Sequence, residues 1–561
     1  MTDNTAQTDN GPVLAADGRP LKASLRKALR AQKIRAMMLI APLLLFIVVT
    51  FIAPIADMLF RSVENQIVGN TLPETTATLE SWDFASGEPP DEAVFEALYY
   101  DMFLAAEARR HTRVGSRLNY EETGMSSLFR GTGRSLDDLG DDYFDVFEGV
   151  DPIWEEAGFW YDFMGAGDGD AEAGGLIDAQ RDRLSALLDE PVAGDVGFVP
   201  DAEIAAVLPR TADAYAAFAA YTALVDEDVV AEEEPWEAVF TALATDLRRD
   251  GAGEAIAAYS GDGAAELQAA YEARDQLPDI SYTEFFIEED EDWGSPDTWG
   301  TIHAYSPSFT PGYFLTAIDM RLTPEGISAQ PENRQIYGTL FGRTLFMSMV
   351  IMGSCILLGY PIAFLLANLP MRTSNLLLIL VLLPFWTSLL VRTSAWKVLL
   401  QQQGVINDLL VWIGLVADDN RLQLINNQTG TIIAMTHILL PFMILPLYSV
   451  MQTIPPSYMR AAKSLGATDW TAFWRVYFPN SVPGIGAGCI LVFILSIGYY
   501  ITPELVGGET GTFISNRIAY HISDSLNWGL AAALGSILLA VVLVLYWAYD
   551  KLVGIDNVKL G

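Results

Sequence analysis

Six long stretches without a charged side chain constrain the fold of this chain more than any other feature. They cover residues 36–56, 344–371, 373–391, 422–459, 476–503 and 525–549. A helix that crosses a bilayer needs about 20 mostly apolar residues, and each stretch is near or above that length. The sequence therefore predicts an all-α integral membrane protein with six transmembrane helices.

Residues 61–335 separate the first stretch from the second and differ from the rest in charge. They hold 58 Asp and Glu, 15 Arg and no Lys, a net charge of −43, whereas the remainder has 13 acidic and 18 basic residues. Apolar residues recur there every three or four positions, as in DEAVFEALYYDMFLAAEARR, with no evident fixed-period repeat. This spacing predicts a mostly helical soluble insertion between the first two membrane helices.

The chain then divides into four segments. Residues 1–35 form a tail whose polar first 20 residues we expect to be disordered. The next part, LKASLRKALRAQKIR, has the leucine spacing of a juxtamembrane helix on anionic lipid. Residues 36–60 are the first transmembrane helix, 61–335 the acidic insertion with a glycine-rich break at 165–175, and 336–561 a five-helix core.

Basic residues predict the orientation of the chain. The approach to the first membrane helix carries Lys22, Arg26, Lys27, Arg30, Lys33 and Arg35. Because cytoplasmic flanks are rich in Lys and Arg, we expect the N-terminus inside the cell. After six crossings the C-terminus, with Lys551 and Lys559, is also inside. The insertion then lies outside, in the periplasm of a bacterial cell, and the protein in the inner membrane.

Few residues suit catalysis or metal binding. Cys355 and Cys489 lie inside apolar stretches, so the insertion has no disulfide. Its acidic runs lack the residue order of a calcium loop, and none of the seven lysines follows the glycine of a Walker A motif. We expect no catalytic residue, no metal, no bound cofactor and no nucleic-acid partner. If transport uses ATP and Mg²⁺, a separate subunit must hydrolyse the ATP.

A polar segment at 457–485, SYMRAAKSLGATDWTAFWRVYFPNSVPGI, interrupts the apolar stretches. Pro455 and Pro456 end the helix before it, and Gly466 suits the left-handed turn after a short helix. Thr468 or Asp469 can cap a second helix, and Pro479 and Pro483 are expected to break the chain again. The pattern predicts a helix–turn–helix on the cytoplasmic face of the membrane. An ordinary amphipathic loop at the interface explains the residues equally well.

The same segment resembles the EAA loop of binding-protein-dependent ABC importer permeases, E-A-A-x-x-x-G-A followed by L-P-x-x-x-P-G-I. It departs from that pattern at Arg460, where the family has Glu, and at Phe478. Longer stretches, LPFWTSLLVRTSAWKVLLQQQGVINDLLVWIGLV and GYYITPELVGG, are similar to the polyamine (spermidine/putrescine) branch. The resemblance covers the first membrane helix and about residues 310–561, but not the acidic insertion. The ATPase-coupling residues it implies are Arg460, Ala461, Ala462, Gly466, Ala467, Pro479, Pro483 and Gly484.

The resemblance also implies a fold and a set of partners. The fold is that of type I ABC importer permeases, in which the loop docks in a cleft of a cytoplasmic ATPase dimer. One loop per chain implies a second permease subunit, and the import mechanism implies a periplasmic solute-binding protein. Arg460 in place of Glu leads us to expect an acidic group on the ATPase.

Aromatic and polar residues near the ends of the membrane helices are candidates for the substrate path. A polyamine carries several ammonium groups, which carboxylates and aromatic rings recognise. Pro503 is expected to break the fifth helix next to Glu504, and broken helices often line transport paths. The candidates are Trp386, Thr387, Trp396, Tyr499, Tyr500, Thr502 and Glu504, although aromatic residues also mark membrane interfaces.

Three alternatives remain open from the sequence. The same machinery carries other solutes, namely opines, amino acids, sulfate, iron or thiamine. A secondary transporter predicts ionisable residues at mid-membrane and inverted repeats, which the sequence lacks. A membrane-tethered sensor predicts a cytoplasmic output domain. For the insertion, a solubility role competes with attraction of polycations and with docking of the solute-binding protein.

Overall fold

The computed structural model describes residues 21–166, 175–279 and 281–553. The first part of the tail, most of the glycine-rich break and Lys559 lie outside those ranges. The chain divides into two compact units at Ser62. The first unit is helical from Leu21 to Arg61, with a π-helical turn at Val48–Ile52. Its residues Gln32–Arg61 are long and apolar enough to cross a membrane.

The second unit begins with the acidic insertion, which is mostly helical as the sequence predicts. One two-stranded antiparallel hairpin, Met320–Thr323 with Gly326–Ala329, follows its last helix. Its α-helices are Gln66–Thr71, Pro73–Leu79, Glu92–Glu107, His111–Leu118, Met125–Thr132, Leu136–Val150, Ala157–Met164, Leu176–Leu188, Ala202–Val207, Pro209–Tyr221, Glu237–Arg248, Ala252–Ala258, Ala264–Ala273, Tyr282–Glu289, Pro296–Ala304 and Gly312–Ala317.

The insertion contains two related halves, residues 66–164 and 202–304, which the expectation of no repeat missed. Each half has a helix starting at the proline of an L-P-x-T sequence. The amide and hydroxyl of Thr75 donate to Asp101 over 2.7 Å each. The same groups of Thr211 donate to Asp246 over 2.8 Å. The two aspartates end the matching sequences EAVFEALYYD and EAVFTALATD.

A second pair of matching motifs, D-x-x-W followed six residues later by another Trp, completes the relation. Trp160 Nε1 donates to the carbonyl of Trp154 over 2.8 Å, and Trp299 Nε1 to that of Trp293 over 2.7 Å. In both halves the motif's aspartate accepts a hydrogen bond from the backbone N–H two residues later. All four indoles are fully buried, so they form the centre of the insertion's core.

A buried ion pair joins the insertion to the membrane core. The Arg117 guanidinium donates to Glu121 over 2.8 Å, and only 3% of either side chain is exposed. It lies over the rings of Tyr305, 4.7 Å away, and Tyr313, 4.4 Å away. Tyr313 packs in one buried cluster with residues of the last membrane helix, including Leu530. The insertion is therefore held to the core by interlocking side chains as well as by the chain itself.

The membrane core follows from Tyr337. Four of its helices are long and apolar enough to cross a membrane: Tyr337–Asn368, Gln428–Thr453, Asp469–Gly498 and Trp528–Lys551. Shorter α-helices are Met371–Leu382, Leu389–Leu399, Val405–Trp412, Pro456–Ser464, Ile501–Val506, Gly508–Gly511 and Ile514–Ser523. The first three long helices pack together through buried Met347, Ile351, Met443, Leu447 and Val492.

The third predicted span, 373–391, is not one straight helix. Met371–Trp386 and Leu389–Leu399 meet at an angle of 93°. Pro384 starts a tight turn there, and the Ser388 hydroxyl accepts the amide of Val391 over 3.2 Å, which caps a new helix. With the helix of the first unit, the described residues thus provide five candidate spans, or six if the bent pair counts as one.

Candidate functional site

The short helix Pro456–Ser464 lies on the surface and ends in a fixed turn. Gly466 has φ of +87°, a conformation that side chains with a Cβ rarely adopt. The Gly466 amide donates to the Lys463 carbonyl over 3.0 Å, and the Ala467 amide to the Ala462 carbonyl over 3.1 Å. These two bonds form a Schellman motif, so the turn predicted at Gly466 is present.

The chain then continues differently from the sequence expectation. The Thr468 hydroxyl accepts the Thr471 amide over 3.3 Å, and from Asp469 the chain stays helical to Gly498. Pro479 and Pro483 therefore do not break the chain. A π-helical turn at Phe473–Tyr477 precedes them, and Pro479 falls in the first turn of the following helix, where its missing N–H costs little.

The aromatic residues of this segment divide between two environments. Phe473 and Tyr477 pack against Phe364, with ring centroids 5.7 and 5.1 Å away. Trp470 and Trp474 remain exposed. Gly484 has no turn function: a Cβ there would lie 3.0 Å from Val450 and 3.2 Å from the backbone of Leu447. The segment is thus packed tightly against two neighbouring long helices.

Half of the eight predicted coupling residues are exposed. Arg460, Ala461 and Gly466 are exposed, while Ala462 and Ala467 are half-buried. Lys463 forms an ion pair with Asp469 across the turn. Within the described part of the chain, Arg460 has no acidic partner within ion-pair distance. The exposed face of the short helix thus presents one unpaired guanidinium beside small side chains, which allow a close approach.

The predicted path residues fall into two clusters and one exposed pair. Thr502 Oγ1 lies 3.1 Å from Thr393 Oγ1, where the helix Ile501–Val506 meets Leu389–Leu399, the second helix of the bent pair. Trp396 Nε1 donates to His437 Nδ1 over 3.0 Å on the same side of the bent pair. Trp386 and Thr387 lie at the bend itself and are exposed.

The second cluster surrounds Glu504. Its Oε2 accepts a hydrogen bond of 2.7 Å from Asn516 Nδ2, which also donates to the carbonyl of Tyr500 over 2.9 Å. The Tyr499 carbonyl accepts the hydroxyl of Ser515 over 2.7 Å. The fifth helix ends at Gly498 and the next helix, Ile501–Val506, has Pro503 in its first turn, so the chain is interrupted beside Glu504 as the sequence predicts.

Sequence reasoning missed the partners that position these residues. Thr393, Ser515 and Asn516 were not among the candidates, although polar side chains in or near apolar helices are a usable signal. The guanidinium of Arg392, which precedes Thr393, lies 5.9 Å from the Phe385 ring.

Residues 359–553 match the family described as binding-protein-dependent transport system inner membrane component. The spermidine/putrescine transport system permease protein PotB of Escherichia coli K12 is 34% identical over 220 residues, 39% of this chain and 79% of PotB. PotB of Haemophilus influenzae is 36% identical over 39% of this chain and 76% of its own length.

Two further proteins are similar at lower levels. The inner membrane ABC transporter permease protein YdcU of Escherichia coli K12 is 32% identical over 38% of this chain and 70% of YdcU. A solved bacterial ABC transporter involved in alginate import is 23% identical over 41% of this chain and 82% of its own, with a TM-score of 0.33, too low to support a conclusion.

Proposed function

This chain belongs to the inner membrane components of binding-protein-dependent transport systems, and we propose that it is the permease of an ATP-driven importer for polyamines. PotB, 34% identical over four fifths of its length, is named as a spermidine/putrescine permease. The residues that match the family, 359–553, include the short exposed helix, the bent pair at residues 371–399 and the interruption after Gly498. We propose six transmembrane helices with both termini cytoplasmic and the insertion periplasmic.

The proposed partners supply what a permease subunit needs for ATP-driven import. No Walker A lysine occurs in the sequence, so a separate ATPase dimer uses the ATP and Mg²⁺. A second permease subunit completes the pair, and a periplasmic solute-binding protein delivers the solute. Proteins of this type act as transporters, and no catalytic role is proposed for this chain.

The observation that carries the proposal is the exposed helix Pro456–Ser464, which we propose is the coupling helix that docks on the ATPase. Its Schellman turn fixes it to the long helix Asp469–Gly498, which packs through Gly484 and Phe473 on two other long helices. An ATPase that pushes on the coupling helix would therefore move three membrane helices together. Arg460 predicts an acidic side chain in the docking cleft of that ATPase.

Replacing Gly466 by Val tests whether the turn after the coupling helix transmits the movement of the ATPase to the membrane helices. A β-branched residue at φ +87° costs roughly 1–3 kcal/mol, so the turn should rearrange. We expect uptake of labelled spermidine by the complete reconstituted transporter to fall to background, with membrane insertion unchanged. Arg460→Glu should also impair uptake, and Arg460→Lys much less.

Gly414→Val is the matched control, because Gly414 also has a positive φ, +76°, and open space around its Cα. This variant should retain uptake. Transport by Gly466→Val at the rate of the unmodified protein would contradict the coupling role of the turn.

The path residues support a cationic solute. The Glu504 carboxylate and the ring of Tyr500 are both exposed beside the broken fifth helix, where a polyammonium chain could contact them. A second candidate, an anionic solute, is favoured by Arg392, which lies on the helix Leu389–Leu399 next to Thr393, the partner of Thr502. Competition of labelled spermidine uptake by unlabelled diamines and by sulfate distinguishes the two.

We propose that the insertion raises the local concentration of polycations through its charge of −43. Its ends are close together, since a Cβ on Gly69 would lie 3.5 Å from the Ser306 carbonyl. A short linker can therefore replace residues 70–305. Uptake should fall about tenfold at low ionic strength and little at high ionic strength, because salt screens steering. An equal loss at both would contradict steering.

A further inference from the structure

The two halves of the insertion contact each other reciprocally. Phe95 and Phe240 occupy the same position in the matching EAVF sequences, and Trp160 and Trp299 the same position in the D-x-x-W motifs. Phe95 packs on Trp299 with centroids 4.8 Å apart, and Phe240 packs on Trp160 at 5.3 Å. Each half thus supplies the Phe for the other half's Trp, as expected for two units related by a two-fold axis.

Corresponding residues that touch each other mark the position of that axis. Glu74 and Arg210 both follow the proline of their L-P-x-T sequence, and their side chains form an ion pair of 2.8 Å. Tyr100 and Thr245, which also correspond, both hydrogen-bond to the Tyr282 hydroxyl over 3.2 Å. The axis therefore passes between these side chains.

A cavity of about 770 Å³ opens at this axis, lined by residues of both halves. That volume lies in the range of small-molecule sites. Five carboxylates and three guanidinium groups line it, together with the rings of Tyr143 and Tyr282. We propose that this cavity binds a linear organic dication, an alkyl diamine, in addition to any solute that the membrane core transports.

Some of the charged groups at the cavity already have structural partners. The Glu92 carboxylate accepts the amides of Tyr282 and Thr283 and the hydroxyls of Ser281 and Thr283. Asp246 caps the helix that begins at Pro209. Arg248 and Arg249 donate to backbone carbonyls. Glu74 is likewise engaged, in its ion pair with Arg210. These groups shape the wall and leave Glu96 and Asp213 to face a ligand.

Arg210 shows that this wall accepts a cation. Its guanidinium lies 3.7 Å from the centroid of Tyr100 and pairs with Glu74. Its contacts with Glu96, at 3.7 Å, and with Asp213, at 4.0 Å, are long. Asp213 also accepts the amide of Gln180 over 2.8 Å. Both carboxylates are about one third exposed, so solvent and a ligand can reach them.

The charge of Glu96 is incompletely balanced by its protein neighbours. Burial raises its pKa, although Arg210 acts in the opposite direction. An ammonium group in the cavity would supply the missing positive charge. A metal ion is a poor alternative, because no group of three or more His, Cys, Asp or Glu side chains in the described ranges could hold one. Carboxylates spread over a long, ring-lined wall suit an extended organic cation.

Calorimetric titration of the purified full-length chain in nanodiscs, without ATPase or binding protein, tests the site. The probe is 1,4-diaminobutane, with 1-aminobutane as the single-charge comparison. We expect saturable diamine binding, and Glu96→Gln and Asp213→Asn should each weaken it about tenfold, the usual loss for one charge-assisted hydrogen bond. Glu148→Gln removes an exposed carboxylate that does not line the cavity and should leave binding unchanged.

Thermal unfolding of Glu96→Gln and Asp213→Asn establishes whether each variant is folded. If only one of them folds, that variant is sufficient for the binding test. Equal affinity for the diamine and the monoamine would overturn the proposal, as would unchanged binding in both cavity variants. The proposed diamine site in the insertion is independent of which solute the membrane core transports. Diamine binding without diamine uptake by the complete transporter would refute polyamine transport and leave the cavity site standing.

Discussion

Tryptophan shows how differently the insertion and the membrane core are built. Trp154, Trp160, Trp293 and Trp299 of the insertion have no exposed surface. In the membrane core, Trp386, Trp412 and Trp470 are 74%, 82% and 71% exposed. The insertion must remove its apolar rings from water, whereas lipid and partner subunits can cover the apolar surface of the core.

The difference teaches that the insertion is stabilised by its own buried core, whereas the membrane core is fixed at particular contacts. The insertion encloses its aromatic residues and two buried aspartate caps, as an independent soluble domain does. The core leaves large apolar surfaces open and fixes only particular points, such as the Gly466 turn and the Glu504–Asn516 bond. Three substitutions test this contrast, from the largest expected effect to the smallest.

Trp299→Ala should have the largest effect on stability. It removes a fully buried ring that packs on Phe95 and donates to the Trp293 carbonyl, so we expect the free energy of unfolding to fall by about 3–5 kcal/mol. Urea unfolding of the full chain in nanodiscs, followed by tryptophan fluorescence, measures it. Trp412→Ala, at an exposed position, should change stability little; equal losses would refute the contrast.

Arg117→Met tests the junction between the two regions. It leaves the Glu121 carboxylate buried without its partner, which should cost about 3 kcal/mol in the same unfolding experiment. The neighbouring pair Arg321–Glu122 is partly exposed, so Arg321→Met should cost under about 1 kcal/mol. Adding Glu121→Leu to Arg117→Met should restore most of the loss. If the double variant is as unstable as Arg117→Met, the buried unpaired carboxylate is not the cause of the lost stability.

Acidification should stabilise the insertion. Burial, with Asp137 and Glu237 nearby, raises the pKa of Glu107 to about 7. Between its unfolded value and pH 7 the folded state holds a proton that the unfolded state releases, so the free energy of unfolding falls as pH rises. Because Glu107 is partly exposed, solvent reduces the effect. We expect the free energy of unfolding to fall by about 1–2 kcal/mol between pH 5 and 7.5.

Glu107→Gln should flatten that pH dependence, because the neutral side chain no longer titrates. Urea unfolding at the two pH values gives the comparison, with the exposed Glu148→Gln as control. An unchanged pH dependence in Glu107→Gln would assign the effect to other carboxylates.

Local patterns were the reliable part of the sequence interpretation. The apolar stretches, the helical insertion and the turn at Gly466 each depend on neighbouring residues, and the family assignment was confirmed by the comparisons. The two halves of the insertion were missed because the spacing between matching motifs differs from one motif to the next. A search for a fixed period cannot detect such a relation.

The prolines show which features neighbouring residues alone do not determine. Pro479 and Pro483 were expected to break the chain, but Pro479 falls in the first turn of a helix that continues through Pro483 to Gly498. Next to Pro503 the expected break is present, because one helix ends at Gly498 and the next begins at Ile501. Which turn contains a proline depends on packing with distant helices. For Gly484 the required neighbour, Leu447, belongs to another long helix.

The sequence by itself determined that this chain enters a membrane, carries an acidic helical insertion and belongs to a transporter family, because hydropathy, charge and short motifs are local properties. Only the tertiary structure decided that Phe95 meets Trp299, that Arg210 meets Glu74 at a cavity and that Asn516 holds Glu504. These contacts join residues far apart in the chain, and their positions depend on how whole helices pack.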